Sequence, residues 1–190
     1  MPDLIWEIDD EDGVFLTFDD GPTPGVTEWI LSTLDKYGAK ATFFVLGKNV
    51  EMYPDLYKRI LDARAQGGQP HLLASEGLGH EPRTLYGRWD FANDLIHSEL
   101  FRPPYARITP AQARFLGQRY KLVMWDIISR DYNRRLSPPH LFEERHEVPA
   151  PGAIVVFHDS EKGFPQHALR AAPHAGEIRQ MGLKCKAIEL

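Results

Sequence analysis

Short apolar runs alternate along the chain with segments whose apolar residues recur every three or four positions. Residues 14–18 are apolar apart from Thr17, and apolar residues then recur at i+4 spacing through Ile30 and Leu34 until Gly38. A short apolar run indicates a buried strand, whereas the i+4 spacing followed by glycine indicates a helix and its end. The chain therefore predicts a strand followed by a helix over residues 26–37.

The same alternation continues along most of the chain. Further strands are predicted at residues 41–46, 121–127, 153–159 and 185–188. Further helices are predicted at residues 54–65, 110–119 and 137–146. This order predicts an α/β fold with a parallel sheet covered by helices, as a barrel or as an open doubly wound sheet. In both architectures functional groups collect at the carboxyl ends of the strands.

Residues 67–87 interrupt this rhythm. Glycine and proline accumulate there, the apolar residues follow neither a period of two nor one of 3.6, and no strand is predicted. A long segment without structure is unusual inside a compact α/β domain.

Composition narrows the classes of protein to consider. The 190 residues, 43% of them hydrophobic, suit one domain over residues 1–190. A net charge of −5 without a basic run argues against a nucleic-acid partner. Cys185 is the single cysteine, which excludes an internal disulfide and a CxxC site.

No apolar stretch reaches membrane-spanning length. The first residues lack a signal-peptide pattern, so the chain as written is expected in the cytoplasm, or in the envelope or secreted if the N-terminus is shortened.

Polar side chains that could take part in catalysis or metal binding follow several predicted strands. They are Asp19, Asp20, Arg102, Tyr105, Asp126, Ser129, Asp131, His158 and Asp159. Adjacent residues of an extended chain point in opposite directions, so Asp19 and Asp20 can divide two tasks, one binding a metal and the other accepting a proton. Each residue also has a simpler interpretation, such as a capping carboxylate, a surface ion pair or a strand-end hydrogen bond.

The motifs TFDDGP, FRPPY, D-x-x-S-x-D over residues 126–131, and FHDS together resemble the polysaccharide deacetylase family, the NodB-homology group of carbohydrate esterases. The resemblance spans nearly the whole chain in the family's order. It implies a distorted (β/α) barrel of the glycoside hydrolase/deacetylase type. It also implies a divalent metal, most often zinc with cobalt or nickel as alternatives, and an acetylated carbohydrate substrate such as chitin, peptidoglycan or xylan. We expect a monomer.

The resemblance also implies roles for single residues. Asp19 would be the general base, Asp20 the metal ligand, and His158 the acid that protonates the leaving amine. A metal lowers the pKa of its bound water, and histidine titrates nearest to neutral pH, so these residue types suit these steps.

Three further residues would support these steps. Arg102 would orient Asp19 through an ion pair, and Asp131 would hydrogen-bond His158 and raise its pKa. Tyr105 would contribute its backbone N–H to the oxyanion site.

The family's H-x-x-x-H metal motif is absent from its expected place. An ungapped comparison puts Pro70 and Ala74 where the two histidine ligands belong, and neither side chain has a donor atom. His71 and His80 lie nearby without ligand spacing. Because a catalytic zinc site normally has three protein ligands, Asp20 alone would hold the metal poorly.

A change of reading frame offers an explanation. Codons for residues 65–80 can be chosen that, moved by one nucleotide, read HRVGNHTFLHLKGWGM and contain the missing motif. Residues 166–180 permit a similar shifted reading. We therefore expect two disrupted windows, at residues 67–87 and 165–180, through sequencing error or genuine decay.

Three functions are consistent with these residues. The first is a metal-dependent hydrolase that removes N- or O-acetyl groups from a carbohydrate polymer or oligosaccharide. The second is a catalytically impaired carbohydrate-binding protein on the same scaffold. The third is a hydrolase of small amides.

Overall fold

Strands and helices alternate within residues 4–65, 72–75, 98–131, 149–161 and 178–190, which the computed structural model describes. The strands are β1 (Leu4–Ile5), β2 (Gly13–Asp19), β3 (Ala41–Val45), β4 (Leu72–Ser75), β5 (Leu100–Phe101), β6 (Lys121–Val123), β7 (Ile127–Ile128), β8 (Ile154–His158) and β9 (Lys184–Cys185). The helices are α1 (Val26–Tyr37), α2 (Gly47–Met52), α3 (Pro54–Ala65) and α4 (Pro110–Leu116), with a 3₁₀ turn at Pro104–Ala106. None of the described helices combines the length and the apolar character that crossing a bilayer requires.

The strands form a parallel sheet in the order β1-β6-β5-β4-β3-β2-β8-β7, and β9 pairs separately with β2. Every residue of β2 and β3 is buried, as expected for parallel strands that are covered on both faces. The architecture is α/β and consistent with the distorted barrel that the motifs predict.

Helix α1 shows why the apolar spacing predicts the element correctly. Ile30, Leu31 and Leu34 are buried against the sheet, in one core cluster with Phe18 and Phe43. The helix ends at Gly38, whose φ of 60° lies in the left-handed region that glycine adopts without a steric penalty. The predicted bounds of α1 and α3 agree with the structure.

The prediction of no strand within residues 67–87 is wrong. Residues 72–75 form β4, which pairs with β3 on one side and with β5 on the other. The sequence there lacks the apolar pattern of a strand, but the free edges of β3 and β5 favour backbone pairing at this place, whatever the side chains. Ala74, one of the two positions expected to carry a metal ligand, lies on this strand opposite Phe44.

The single strand predicted over residues 121–127 is two strands. Strand β6 pairs with β1 and β5, whereas β7 pairs with β8. Between them Met124 donates its N–H to the carbonyl of Ile5, and Asp126 donates its N–H to the carbonyl of Ile154. The backbone thus passes from one part of the sheet to another within an apolar run that shows no break.

Smaller differences concern element ends. Helix α4 is shorter than predicted, the predicted strand 153–159 is Ile154–His158, and the predicted strand 185–188 is Lys184–Cys185. The sequence pattern does not predict β1, α2 or the 3₁₀ turn. The helix predicted over residues 137–146 lies outside the described residues, as does most of the two windows at 67–87 and 165–180.

The last residues of the chain close the amino-terminal end of the sheet interior. Ile188 is fully buried beside Phe15 and Ile154, and its N–H donates to Thr42 Oγ1 at 3.0 Å. Strand β9 is joined to the start of β2, and Lys186 binds the Asp10 carboxylate at 2.8 Å. The C-terminal segment is therefore part of the core.

The segment before β8 lies very close to the N-terminal part of the chain at Gly152. It has a φ of 90°, and a Cβ built on it would overlap the carbonyl oxygen of Ile8. Gly182 has a φ of 81°, with no atom near the corresponding Cβ. We expect Gly182→Ala to cost about 1 kcal/mol of unfolding free energy through backbone strain alone. Gly152→Ala should cost roughly a further 1–3 kcal/mol because of the overlap.

Urea unfolding of the two glycine variants and the parent chain measures this difference. Equal losses in both variants would contradict the close approach of Gly152 to Ile8.

Candidate active site

A buried ion pair joins the ends of two strands. Arg102, directly after β5, donates from Nη1 to Asp19 Oδ1 at 2.6 Å, and Asp19 is the last residue of β2. Arg102 is fully buried and Asp19 nearly so. The predicted contact between these two side chains is therefore present. A charge removed from water to this extent needs a partner, because an unpaired buried charge is strongly unfavourable.

Other donors of Arg102 also bind acceptors in the protein. Nη1 binds Thr17 Oγ1 at 2.8 Å, Nη2 binds the carbonyl of Met124 at 2.9 Å, and Nε binds the carbonyl of Val123 at 3.4 Å. The guanidinium lies over the ring of Phe44, 3.9 Å from the centroid, which adds a cation–π contact. The guanidinium is thus held from three sides and binds a single oxygen of Asp19.

A second pair lies beside the first. His158 ends β8, and its Nδ1 lies 2.7 Å from Asp131 Oδ1. The other oxygen of Asp131 accepts the backbone N–H of His158 at 2.7 Å. An ionised carboxylate can only accept, so Nδ1 carries the proton in this contact. The predicted partnership of His158 and Asp131 is present.

Burial and charge set the pKa values of both pairs. Burial raises the pKa of the Asp19 carboxyl, against the opposing effect of the Arg102 and His158 charges. Burial lowers the pKa of His158, but the Asp131 hydrogen bond and the negative charges of Asp131, Asp19 and Asp20 outweigh it and raise this pKa to about 9. His158 is therefore an imidazolium at neutral pH, while the contact with Arg102 opposes the effect of burial on Asp19.

The two pairs meet because β2 and β8 are neighbours in register. Asp19 lies directly opposite His158 in this parallel pair, and the N–H of Asp159 donates to the carbonyl of Asp19 at 2.6 Å. Arg102 and Asp131 reach the same place from β5 and from the segment after β7. The expectation that these side chains share one mouth of the sheet is confirmed for the described residues.

Asp20 occupies a bent part of the backbone. Its φ of 78° lies in the left-handed region, which aspartate tolerates better than most residues do. Its carbonyl accepts a hydrogen bond from Asn49 Nδ2 at 2.7 Å, and the carbonyl of Gly21 accepts the N–H of Leu46 at 2.8 Å. These contacts on α2 and the residue before it hold the turn that carries Asp20.

Sequence reasoning missed the threonines around the site. Thr17 binds Arg102, and Thr27 donates from Oγ1 to Asp159 Oδ2 at 2.7 Å. Thr23 donates from Oγ1 to the carbonyl of Asp159, also at 2.7 Å. Threonine is common in strands and at helix starts, so nothing in the sequence distinguishes these three from the rest.

Three further residues were also predicted at the site. Tyr105 lies in the 3₁₀ turn after Arg102 with a φ of 56° and an exposed side chain, and its oxyanion role stays a prediction. Ser129 is buried and its Oγ accepts the N–H of Asp131 at 3.3 Å, so it supports the Asp131 turn. Asp126 is exposed, with its N–H in the backbone contact to β8.

The donor set for a metal is incomplete among the described residues. Asp20 is the candidate ligand, but residues 4–65, 72–75, 98–131, 149–161 and 178–190 contain no cluster of three or more histidine, cysteine, aspartate or glutamate side chains able to hold an ion. The side chains of this part of the chain therefore do not by themselves fit the three-ligand zinc site that the motifs imply. His71 and His80 lie outside the described residues.

The Arg102 pair should carry a large share of the stability. Arg102→Met is expected to lower the unfolding free energy by about 3–5 kcal/mol, because it leaves the Asp19 carboxylate buried without its cation. Arg59→Met is the matched control: Arg59 lies 3.8 Å from Glu28 in an exposed pair, and its removal should cost about 0–1 kcal/mol. Urea unfolding measures both, and similar losses would contradict the role given to Arg102.

The His158 proton should make stability depend on pH. Because the folded-state pKa is raised from 6.5 to about 9, the stabilisation is fully present below pH 6.5 and is lost as the pH rises through 9. His158→Gln has no such proton. The difference in unfolding free energy between the parent chain and this variant should therefore shrink by about 3 kcal/mol between pH 6 and pH 10.

Urea unfolding at intervals of half a pH unit, in the presence of a chelator, follows this change. A difference that stays constant over the whole range would show that His158 is not a protonated partner of Asp131.

Comparison with known proteins agrees with this geometry. The sequence model of the polysaccharide deacetylase family matches residues 7–121, more than half of the chain. A peptidoglycan-N-acetylglucosamine deacetylase of Bacillus cereus is 28% identical over 171 residues, covering 83% of this chain and 60% of the relative. A chitooligosaccharide deacetylase of Rhizobium leguminosarum bv. trifolii is 32% identical, covering 79% and 73%. The chain spans between 27% and 60% of the length of the longer relatives.

Solved structures share the fold. A family 4 carbohydrate esterase from Streptomyces lividans, in complex with acetate, superposes with a TM-score of 0.75 and 27% identity over 95% of this chain and 94% of that one. A CE4 family pseudoenzyme from Bacillus anthracis has a TM-score of 0.79 with 20% identity, covering 99% and 68%, and a mutant of it has restored enzymatic activity. The arrangement of the strand-end residues in this chain agrees with the match of the family model. This chain belongs to the polysaccharide deacetylase family.

Proposed function

We propose that this chain is a hydrolase that removes acetyl groups from a carbohydrate polymer or oligosaccharide, with Asp19 as general base and His158 as general acid. The observation that carries the proposal is the register of β2 and β8, which puts the Asp19–Arg102 pair directly opposite the His158–Asp131 pair. Hydrolysis of an amide needs a group that takes a proton from water and a group that gives one to the leaving amine.

Each pair would have a separate task. Arg102 binds Oδ1 of Asp19 at 2.6 Å, so Oδ2 would accept the proton of an attacking water. Asp131 holds the Nδ1 proton of His158, so Nε2 would deliver a proton to the departing nitrogen. The carboxylates raise the pKa of His158 to about 9, so the acid is protonated near neutral pH, and the ion pair with Arg102 favours the ionised form of Asp19 that a base requires.

The relatives support an acetylated sugar as the substrate. The two described above act on peptidoglycan N-acetylglucosamine and on chitooligosaccharides, by their names. An N-acetylglucosamine polymer or oligomer is therefore the first substrate to test, and acetylated xylan the second.

Metal dependence is part of the proposal. A divalent ion, when bound, would polarise the acetyl carbonyl and lower the pKa of its water. Asp20 would be one ligand, but the described residues supply no complete set, and Pro70 and Ala74 replace the two histidines that the family motif provides. The acid–base half of the site is thus complete in this chain, whereas its metal half depends on residues other than those described.

This incompleteness favours a second candidate function. A protein that retains the cleft and lacks a metal would bind glycans without cleaving them, as a carbohydrate-binding pseudoenzyme. The likeness to the Bacillus anthracis pseudoenzyme shows that the fold accommodates loss of activity. This candidate predicts that glycan affinity does not change when a chelator is added.

The decisive experiment compares the chain with a restored variant, in which HRVGNHTFLHLKGWGM replaces residues 65–80. Both proteins are loaded with zinc or cobalt and incubated with chitooligosaccharides or acetylated xylan, and acetate is measured. We expect the restored variant to bind one metal ion per molecule and to release acetate. Asp19→Asn in the restored variant should lower the rate at least about 100-fold, because it removes the base.

The parent chain separates the two candidates. Chelator-sensitive acetate release from it supports the enzyme as written, whereas glycan binding that EDTA leaves unchanged, without acetate, supports the pseudoenzyme. No acetate from a metal-loaded restored variant would overturn the proposed deacetylase function.

A further inference from the structure

The turn that carries Asp20 is attached on both sides to other parts of the fold. On one side the carbonyls of Asp20 and Gly21 accept hydrogen bonds from Asn49 and Leu46. On the other side the turn meets Asp159, the residue that follows His158. The second attachment is built from side chains that the acid–base chemistry does not use.

Asp159 is fully buried and contacts the turn region at three points. Its N–H donates to the carbonyl of Asp19 at 2.6 Å, and its own carbonyl accepts from Thr23 Oγ1 at 2.7 Å. Its Oδ2 accepts from Thr27 Oγ1 at 2.7 Å. A Cβ built on Gly21 would overlap this carboxylate, so the backbone of the turn lies directly against it.

Thr27 connects these contacts. It is fully buried in the first turn of α1, and its hydroxyl both donates to Asp159 and accepts the N–H of Thr23 at 2.7 Å. One hydroxyl therefore links the start of α1, the end of the turn and the strand end that carries His158. Valine has the same shape as threonine and can form neither hydrogen bond.

We propose that Thr27 and Asp159 are positioning residues, which fix the turn at residues 19–22 and thereby set the Asp20 carboxylate relative to the His158 ring. Since Asp159 directly follows His158, the last residue of β8, a shift of the turn at Asp159 changes this spacing directly. The expected effect on turnover rests on the proposed deacetylase function, whereas the effect on geometry does not.

Two substitutions at Thr27 and one elsewhere test this. Thr27→Val removes both hydrogen bonds without changing charge, and Thr27→Ser retains the hydroxyl. Thr42→Val is the control, because Thr42 is also fully buried and its hydroxyl accepts a hydrogen bond from the Ile188 N–H, outside the turn at residues 19–22. Thermal unfolding of all three shows whether the two valine variants lose comparable stability.

Crystal structures give the first readout. We expect the Asp20 carboxyl carbon to move by about 1 Å or more relative to His158 Nε2 in Thr27→Val, and to stay in place in Thr27→Ser and Thr42→Val. An unmoved Asp20 in Thr27→Val would overturn the proposal, whether or not the protein is an enzyme.

Steady-state kinetics of acetate release give the second readout. They are measured in the parent chain or in the restored variant, whichever releases acetate. Thr27→Val should lower kcat about tenfold or more with KM changed less than about twofold, and Thr27→Ser should restore it. An equal loss of kcat in Thr42→Val would show a general effect of stability and overturn the proposal. If neither protein releases acetate, the proposed function fails and the crystal structures alone decide the positioning role.

Discussion

The pairing of a buried guanidinium with a buried carboxylate is the constraint on which the rest of the site depends. Arg102 has no access to water, so each of its donors must find an acceptor within the protein. Asp19, Thr17 and the carbonyls of Val123 and Met124 supply these acceptors. They belong to β2, to the last residue of β6 and to the residue after it, so the ends of these strands must meet beside β5. The contacts that keep the charge buried are also the ones that orient the Asp19 carboxylate.

The sequence predicts much of the fold because buried parallel strands and amphipathic helices leave strong patterns. Helix α1 agrees with its predicted bounds since a continuous i+4 series ends at a glycine, and β2, β3 and β8 agree closely because most of their residues are apolar. The prediction fails where pairing partners, and not side-chain pattern, decide the structure. Strand β4 forms between two strand edges, and the division between β6 and β7 follows from backbone bonds to Ile5 and Ile154.

The candidate site shows the same division. The charged members, Asp19, Arg102, Asp131 and His158, could be found because charges at strand ends are conspicuous against an apolar background. The threonines could not be found. The sequence context of Thr17 and Thr27 is that of any threonine in a strand or at a helix start. Their importance comes only from the buried groups that they contact in the folded chain. The charged pairs of the site were therefore predictable, and the hydroxyl contacts that support them were not.

The C-terminal segment gives the fold an unusual vulnerability. Ile188 fills the interior beside Phe15 and Ile154, and β9 is attached to the same strand that ends in Asp19. A smaller side chain at position 188 would thus leave a cavity against β2 and β8, the two strands that carry Asp19 and His158. Changes far along the chain from both residues can therefore loosen the strands that hold them in register.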